Sequence, residues 1–510
     1  MGAGSAGCVL ANRLSEERDA SVLVLEAGGW DRDPWIRIPL GWGRLLSHRL
    51  HDWGYFAEPQ EKLNGRAVEC ARGKIVGGSS SINAMAYVRG HRADYERWAA
   101  SGLRSWSYDK VLPYFKRSES WEGGASEYRG GDGPLGVRIS RYADPLFDAW
   151  LEAGAAAGHP TTADYNGAEQ HGFGRMQSTI RDGRRCSAAD AYLRPALARG
   201  NLAIKVLSLT TKILFEKQKA IGVEYLQDGV KKTARAEKEV LVCGGVINSP
   251  QLLMLSGIGD PDELRQHGIE TRIPLKGVGK NLQDHVMAPL PFRRREPGPM
   301  HRAMRIDRIA LELAKCYFLG TGFATDLPGP LTAFLKTKSD LSVPDIQLLF
   351  HGGPLGAAPY LTRPYADGFA CVVAVLRPES RGCVELASAD PARAPRIRQN
   401  FLSRDKDWQT LRAGIRMADE ISSQKALLPF ISEKLLASDV DAHIRATSIT
   451  VHHPLGTCAM GKVVDESLRV KGAEGLRVVD ASVMPDLVGG NINAAVTMIA
   501  ERGADLARGR

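Results

Sequence analysis

Three glycines at the start of the chain have a spacing suited to phosphate binding. Gly2, Gly4 and Gly7 form the pattern Gly-x-Gly-x-x-Gly, and a helical pattern follows them. The first glycine permits a tight turn, the second lets backbone N–H groups approach a pyrophosphate, and the third lets the helix pack closely on a sheet. Glu26 follows about 20 residues later, where a carboxylate can accept hydrogen bonds from a ribose. The pattern predicts dinucleotide binding and does not separate FAD from NAD.

A second group of candidate residues lies near the other end of the chain. His452 and His453 stand in the run His-His-Pro-Leu-Gly-Thr, and Asn491 and Asn493 precede a helical pattern. A neutral imidazole, whose ordinary pKa is about 6.5, can take a proton, and a carboxamide N–H can donate to a developing anion. A single histidine is more often a core or surface residue, and an asparagine before a helix can be only its cap. These residue types alone do not decide between a catalytic and a structural role.

A loop rich in glycine and serine spans residues 72–85. Gly77 and Gly78 are followed by three serines, so the segment offers many backbone N–H groups and hydroxyls. Such a loop can wrap a phosphate or a planar polar ring, although Gly/Ser runs are more often ordinary turns.

The pattern of apolar residues predicts the elements that would position these groups. It predicts helices at 405–421 and 494–506 and strands at 22–25, 202–206, 211–215, 221–225, 239–243, 345–350, 369–376 and 476–480. Ser249 as N-cap and Pro250 as first helical residue predict another helix, which ends at Gly257. The glycine pattern also needs a strand before Gly2, where the chain has only Met1. We therefore expect the natural protein to begin several residues upstream.

Length and composition indicate an ordinary globular protein. The chain has 510 residues, 44% hydrophobic and 25% charged, and its length suggests about three domains. Eight scattered cysteines without a C-x-x-C pair argue against a zinc site or disulfide framework and favour a reducing compartment. No apolar run reaches the roughly 18 residues of a transmembrane helix. We expect a cytoplasmic protein without a metal site, although a missing start would hide any targeting segment.

The net charge of +9 is modest, but part of it is concentrated in residues 293–308, which contain six arginines. We favour a solvated segment; the alternative is a patch for peripheral contact with an anionic membrane or an acidic partner. The sequence contains no nucleic-acid-binding motif and does not indicate an oligomeric state.

Five elements, in chain order, resemble the glucose–methanol–choline (GMC) family of FAD-dependent oxidoreductases. They are residues 2–7, 73–83 and 248–259, the run His453-Pro454-x-Gly456-Thr457, and Asn491-x-Asn493 before the last helix. The similarity covers nearly the whole chain and looks closest to the bacterial branch similar to choline and alcohol dehydrogenases. It implies FAD rather than NAD. It also implies oxidation of a primary alcohol to an aldehyde, with a quinone, another carrier or O₂ as electron acceptor.

The resemblance implies an α/β fold, α+β overall. A Rossmann-like FAD-binding domain would carry an inserted substrate domain, built on an antiparallel sheet flanked by helices. Residues 291–445 lack any fingerprint, as an insertion would. We predict an FAD-binding domain of residues 1–140, 183–290 and 446–510, and a substrate-binding domain of residues 141–182 and 291–445. The active site is expected at their junction.

The motif match also implies roles for individual residues. His453 matches the catalytic base, and Asn491 matches the second catalytic position, whose amide would donate to the alkoxide and also lie near the flavin. The other implied FAD contacts are Gly2, Gly4, Ser5, Ala6, Gly7, Glu26, Ala27, Gly73, Gly77, Gly78, Ser79, Asn83, Ala84, Met85, Asp480, Ala481 and Ile492. We expect His285 and His351 to be structural or lining residues, His452 not to touch substrate, and Asn493 to be a helix cap.

Three positions depart from the family pattern. Ile82 stands where members with covalently linked FAD carry a histidine, so we predict non-covalent FAD. Pro330 aligns with a glutamate that could face the trimethylammonium group in choline enzymes, which weakens choline as substrate. Val246 occupies a position where the family prefers a small residue.

Two alternatives to alcohol oxidation remain. A lyase or a light-driven decarboxylase could use the same scaffold, because a fold does not determine a reaction. A flavin-free protein without catalysis is the other, since the first strand is missing.

Overall fold

The computed structural model describes residues 1–353 and 367–509; residues 354–366 and 510, which fall within the two predicted domains, lie outside this part. The α-helices, α1 to α14 in chain order, span Ser5–Leu14, Pro34–Arg37, Trp42–Ser47, Arg92–Ala100, Tyr108–Ser118, Pro145–Ala156, Arg194–Ala196, Gly245–Leu255, Pro261–Gln266, Pro299–Ala303, Ile306–Leu319, Asp405–Ser422, Val440–Thr447 and Asn493–Ala507. The strands, β1 to β24, span Val22–Leu25, Glu119–Trp121, Leu135–Ile139, Gly172–Arg175, Gln177–Ser178, Ile180–Arg181, Arg184–Arg185, Leu202–Lys205, Ser208–Glu216, Lys219–Gln227, Val230–Arg235, Val240–Val242, Ile258–Gly259, Ile273–Pro274, Lys280–Leu282, Val286–Arg294, Leu331–Leu335, Ile346–His351, Gly368–Val375, Gly382–Glu385, Arg396–Arg398, Ile431–Lys434, Ile449–Thr450 and Leu476–Val478.

Two short parallel strand pairs, β1 with β8 and β12 with β24, flank the start of the chain. The Gly2 N–H donates to the Leu25 carbonyl at 2.7 Å, and the Met1 amino group donates to the Leu241 carbonyl at 2.8 Å. The Met1 carbonyl in turn accepts from the Cys243 N–H at 2.8 Å. Met1 and Gly2 therefore stand between the two pairs, where the glycine pattern calls for a central strand.

The first and last long helices, α1 and α14, pack side by side and run in the same direction. Near their starts the Asn493 amide donates to the Ser5 hydroxyl at 2.9 Å, and further along Arg13 forms an ion pair with Glu501 at 2.9 Å. Because Glu501 is fully buried, this ion pair ties the helices together inside the molecule. The positive ends of both helix dipoles consequently lie next to each other.

An antiparallel sheet of seven strands forms the other half of the molecule and confirms the predicted fold class. Its order is β22-β16-β19-β18-β17-β4, with β23 also paired to β16. Helix α12 covers one face with apolar residues spaced three and four apart: Trp408, Leu411, Ile415, Ala418 and Ile421. Gly414 allows the close approach, since a Cβ atom there would lie 2.6 Å from the Val373 side chain.

The helix predicted to begin at Pro250 begins at Gly245 instead, so that prediction is wrong. Proline has no N–H for the carbonyl four residues earlier, and that carbonyl, of Val246, accepts the Thr457 hydroxyl at 2.6 Å. Ser249 does not cap the helix, because its hydroxyl donates to the Asp480 carboxylate at 2.6 Å. Tertiary contacts thus permit the helix to run through its proline.

Candidate active site

A cavity of about 470 Å³ is lined by the start of the chain, the glycine–serine loop, the C-terminal segment and the antiparallel sheet. The sequence-predicted residues that line it are Gly2, Gly4, Ser5, Ala6, Glu26, Ala27, Gly73, Gly78, Ser79, Asn83, Ala84, Met85, His453, Asp480, Ala481, Asn491 and Ile492. Gly7 and Gly77 do not. A Cβ atom on Gly7 would lie 1.9 Å from the Gly2 carbonyl oxygen, and the Gly77 N–H donates to the Ala3 carbonyl at 2.7 Å. Both glycines therefore lie behind the cavity wall, where they contact the backbone of the segment that lines it.

Two helix starts without a side-chain cap lie at the cavity wall. Helices α1 and α14 both start at its wall, neither has a side-chain cap, and neither carries an acid in its first turn. Parallel helix starts present unpaired N–H groups and a partial positive charge, which suit a pyrophosphate. A Cβ atom on Gly78 would lie 2.6 Å from Gly4, so two glycines let the loop and the helix start meet. The donor set fits a dinucleotide such as FAD.

Glu26 is buried beside these donors. One of its carboxylate oxygens accepts from the Ala3 N–H and the other from the Gly28 N–H, both at 2.7 Å. Burial raises the pKa of Glu26, and the two backbone N–H groups oppose that shift. Each oxygen keeps a further lone pair, so the carboxylate can still accept from a ribose hydroxyl.

Asn83 is held by the residues around it. Its carbonyl oxygen accepts from the Met85 N–H at 3.0 Å and from the Arg185 guanidinium at 2.9 Å. Burial lowers the pKa of Arg185 to about 9. Ile82, the residue before Asn83, faces the cavity with a side chain that cannot form a covalent link to a cofactor.

His453 and Asn491 meet at the cavity wall. The His453 Nε2 atom lies 3.0 Å from the Asn491 amide nitrogen, and the Asn491 carbonyl oxygen accepts from the Gln347 amide at 3.4 Å. The contact with Gln347 orients Asn491, because it turns the NH₂ group toward the imidazole. Burial lowers the pKa of His453 well below its usual value, and nearby His285 adds to the shift. The imidazole is therefore neutral and can accept a proton.

Asp284 holds the backbone of His453. Its carboxylate accepts from the His453 N–H at 2.9 Å, from the Gln399 amide at 2.8 Å and from the Thr450 hydroxyl. Burial raises its pKa to about 7, although the Thr450 hydroxyl, Arg72 and the His453 N–H favour the charged form. Strand β23 pairs with β16 directly beside this contact, so the sheet sets the position of His453.

The part of the cavity next to the sheet is apolar and aromatic. Trp42 stacks on His351 with ring centroids 6.4 Å apart and an angle of 9°, and burial lowers the pKa of His351. Other residues on this wall are Met287, Leu327, Pro328, Leu349, Phe350 and Val372. The carboxylate here, Asp326, is already paired with Arg138 at 3.3 Å. This wall therefore suits an uncharged group better than a cation.

His452 lies on the cavity wall next to His453, in the left-handed backbone region with a φ of 63°. Burial lowers its pKa to about 3, and its Nδ1 atom is buried without a hydrogen-bond partner. Its Nε2 atom lies 3.5 Å from the Glu69 carboxylate.

Sequence reasoning missed Gln347, Asp284 and Trp42 as parts of this site. Gln347 is a fully buried amide between Ile346 and Leu348, so an isolated polar residue in an apolar strand was the available signal. No signal in the sequence distinguished Trp42 from the other tryptophans of the irregular segment after β1.

This geometry agrees with two sequence profiles described as GMC oxidoreductase, which match residues 1–287 and 378–500. The chain belongs to the GMC oxidoreductase family, enzymes that act on CH–OH groups and typically use FAD, so the predicted family and enzyme class are confirmed.

Several relatives are similar over the whole chain. Human choline dehydrogenase, mitochondrial, is 43% identical over 533 aligned residues, which cover 100% of this chain and 89% of the relative. An oxygen-dependent choline dehydrogenase of Brucella anthropi is 41% identical, covering 100% and 95%. Among solved structures, pyridoxine 4-oxidase from Mesorbium loti superposes with a TM-score of 0.90 at 32% identity, covering 100% and 98%. A formate oxidase superposes with a TM-score of 0.90 at 26% identity, covering 100% and 97%.

Proposed function

We propose that this chain binds FAD non-covalently and oxidises an uncharged primary alcohol to the aldehyde. The observation that carries the proposal is the contact between a neutral His453 and the Asn491 amide on the wall of a cavity that also holds two uncapped helix starts. The predicted two-domain division, with the site at the junction, is part of the proposal.

We assign the proton transfer to His453. An alcohol gives up a hydride readily only as its hydroxyl proton leaves, and bound FAD supplies the acceptor for that hydride. The hydroxyl donates its proton to Nε2 of His453, which burial keeps neutral. General-base catalysis of this kind contributes on the order of 10²–10⁴ in rate. The Asn491 N–H donates to the oxygen as it becomes negative, in the manner of an oxyanion hole.

Replacing His453 with alanine tests this assignment. The variant should keep its FAD, because the predicted cofactor contacts lie on other residues, yet lose alcohol-dependent flavin reduction under anaerobic conditions. Unchanged reduction would rule His453 out as the base. Carbon–carbon cleavage without flavin reduction in the unaltered protein would support the lyase or decarboxylase alternative instead, and a protein that stays colourless after FAD is added would support the flavin-free one.

The non-covalent state of FAD follows from Ile82, which faces the cavity at the position of the linking histidine. Acid precipitation should release all of the flavin into the supernatant. Flavin retained in the protein pellet would contradict this part of the proposal.

We infer an uncharged substrate from the wall beside the sheet. The relatives named choline dehydrogenases make choline the obvious alternative, but Pro330 is not on the cavity and Asp326 is neutralised by Arg138. On this wall, among the described residues, a trimethylammonium group would leave water without an unpaired carboxylate to receive it. The matched pair of substrates is choline and 3,3-dimethylbutan-1-ol, which has the same shape without the charge. We expect a higher kcat/KM for the uncharged alcohol, and a preference for choline would contradict the inference.

The electron acceptor is O₂, a quinone or another carrier, and oxygen uptake compared with reduction of a soluble quinone separates them.

Within the described residues no helix is long and apolar enough to cross a bilayer. Part of the basic stretch is paired within the chain: Arg294 forms an ion pair with buried Asp144, and Arg293 forms an exposed one with Glu433.

Helix α11 nevertheless exposes an apolar face, with Phe318 73% and Leu319 69% accessible. We propose that this face makes peripheral contact with an anionic membrane. Sedimentation with anionic vesicles should fall in the Phe318→Ser variant, and equal sedimentation of both proteins would oppose the contact.

A further inference from the structure

A second buried imidazole lies directly behind His453. His285 is 1% exposed and does not line the cavity. Its Nδ1 atom lies 3.0 Å from Nδ1 of His453, with ring centroids 5.2 Å apart and planes at 89°. Its other nitrogen, Nε2, lies 3.1 Å from the Leu376 carbonyl oxygen. The proposed reaction makes no use of His285, so its role needs a separate explanation.

The partners of His285 decide which of its nitrogens carries the proton. A carbonyl oxygen only accepts hydrogen bonds, so Nε2 of His285 must be the N–H that donates to Leu376. Because a neutral imidazole has a single N–H, Nδ1 of His285 is then an acceptor. The hydrogen bond between the two rings is therefore donated by Nδ1 of His453. Nε2 of His453 is left without a proton and accepts from Asn491.

The surroundings keep His285 neutral. Burial lowers its pKa to about 4. Of the charged groups that face it, Arg377 lowers the pKa and Asp94 raises it, while the Leu376 and Val488 carbonyls favour the protonated ring. The adjoining Asp284 carboxylate is turned toward the backbone of His453. The Leu376 carbonyl, at the end of this chain of hydrogen bonds, thus determines which atom donates in each of them.

We propose that His285 is a positioning residue that holds His453 in the tautomer with a proton on Nδ1 and an unprotonated Nε2. The proposal rests on the proposed function, because only that tautomer presents a base to the substrate hydroxyl. When Nε2 takes the proton, His453 becomes a cation whose Nδ1–H still donates to His285. A hydrogen bond from a charged donor is stronger than one between neutral groups, so the same contact stabilises the protonated base.

Two variants and a control test the role of His285. His285→Leu removes the acceptor, and the rate of flavin reduction should fall about 10- to 100-fold with little change in KM, the range found for partners that orient metal-bound imidazoles. His285→Gln should restore most of the rate, because its amide can accept from His453 and donate to Leu376. His443→Leu is the control, since His443 is also buried and bonds a carbonyl of the same sheet, that of Pro289, at 2.7 Å. It should lose stability but keep the rate and its pH profile.

The tautomer itself is read without any alcohol, by nitrogen NMR of the resting protein labelled with ¹⁵N-histidine. The His453 signals are assigned from their absence in the His453→Ala variant. We expect a protonated Nδ1 and a bare Nε2, with the reverse tautomer appearing in His285→Leu. A resting spectrum with the proton on Nε2 would overturn the proposal, as would a Leu variant with unchanged tautomer and rate. If His285→Leu does not fold, the unaltered protein and His285→Gln decide the question. Because this spectrum does not depend on alcohol oxidation, it separates failure of this proposal from failure of the proposed function.

Discussion

Replacing Asn491 with aspartate should slow the reaction in two ways, although the two side chains have nearly the same shape. The amide nitrogen lies 3.0 Å from Nε2 of His453. The substitution removes the N–H donor for the developing alkoxide, and it places a carboxylate oxygen against the base. A negative charge at this distance favours the protonated imidazole, so the pKa of His453 should rise.

The two effects on the rate differ in size and in how they depend on pH. Loss of one oxyanion donor costs on the order of 10²–10³ in rate, or about 2.7–4 kcal/mol, and Asn491→Ala should show this loss alone. An opposite charge close by shifts a pKa by about 1–3 units. Below the raised pKa, the neutral form of His453 falls tenfold per pH unit. The aspartate variant should therefore lose rate at a higher pH than the alanine variant does, because its His453 takes up a proton at a higher pH.

The assay is anaerobic stopped-flow reduction of the flavin by 3,3-dimethylbutan-1-ol between about pH 6 and about pH 9, a range on both sides of the ordinary histidine pKa. Asn64→Asp is the control, because it makes the same chemical change at an exposed position. An aspartate variant whose pH profile and rate coincide with those of the alanine variant would refute the reasoning, since it would mean that residue 491 does not influence the proton on His453.

Two further predictions concern pH and stability. In the unaltered protein, kcat/KM should stay constant from alkaline pH down through pH 6.5 and decline only below it, because burial lowers the pKa of His453 and the neutral form is the active one; a decline centred above pH 7 in the steady-state profile would count against the assignment. Thr457→Val should lower the free energy of unfolding by about 1–3 kcal/mol in denaturant titrations, because the Val246 carbonyl before Pro250 loses its donor in the interior. The exposed Thr321→Val change serves as its control, and equal stability of both variants would show that the carbonyl does not need Thr457.

Local patterns in the sequence were sufficient for much of the fold. Strand β18 is predicted at 345–350 and lies at Ile346–His351, and helix α12 is predicted at 405–421 and spans Asp405–Ser422. Helix α12 is long and strongly periodic, and β18 is a short, mostly apolar run, so their own residues indicate them. The start of α8 was mispredicted because a distant hydroxyl, that of Thr457, substitutes for the N–H that Pro250 lacks.

The candidate site likewise combines features that local sequence predicts with contacts that only the fold creates. The glycine spacing, Glu26, His453 and Asn491 are recognisable from residue types and order, because short motifs determine local backbone geometry. The sequence could not show that Gln347 orients Asn491, or that His285 stands behind His453, since each contact joins residues more than a hundred positions apart.

The sequence by itself therefore predicted the class of chemistry: a dinucleotide bound at a helix start, and an imidazole and an amide that could act on a substrate. The tertiary structure decided which nitrogen of His453 lies against Asn491 and which against His285, which group orients Asn491, and how apolar the wall beside them is. The physical reason is that proton positions and pKa values depend on burial and on hydrogen-bond partners, and both arise only when the sheet and the two parallel helices pack around one cavity.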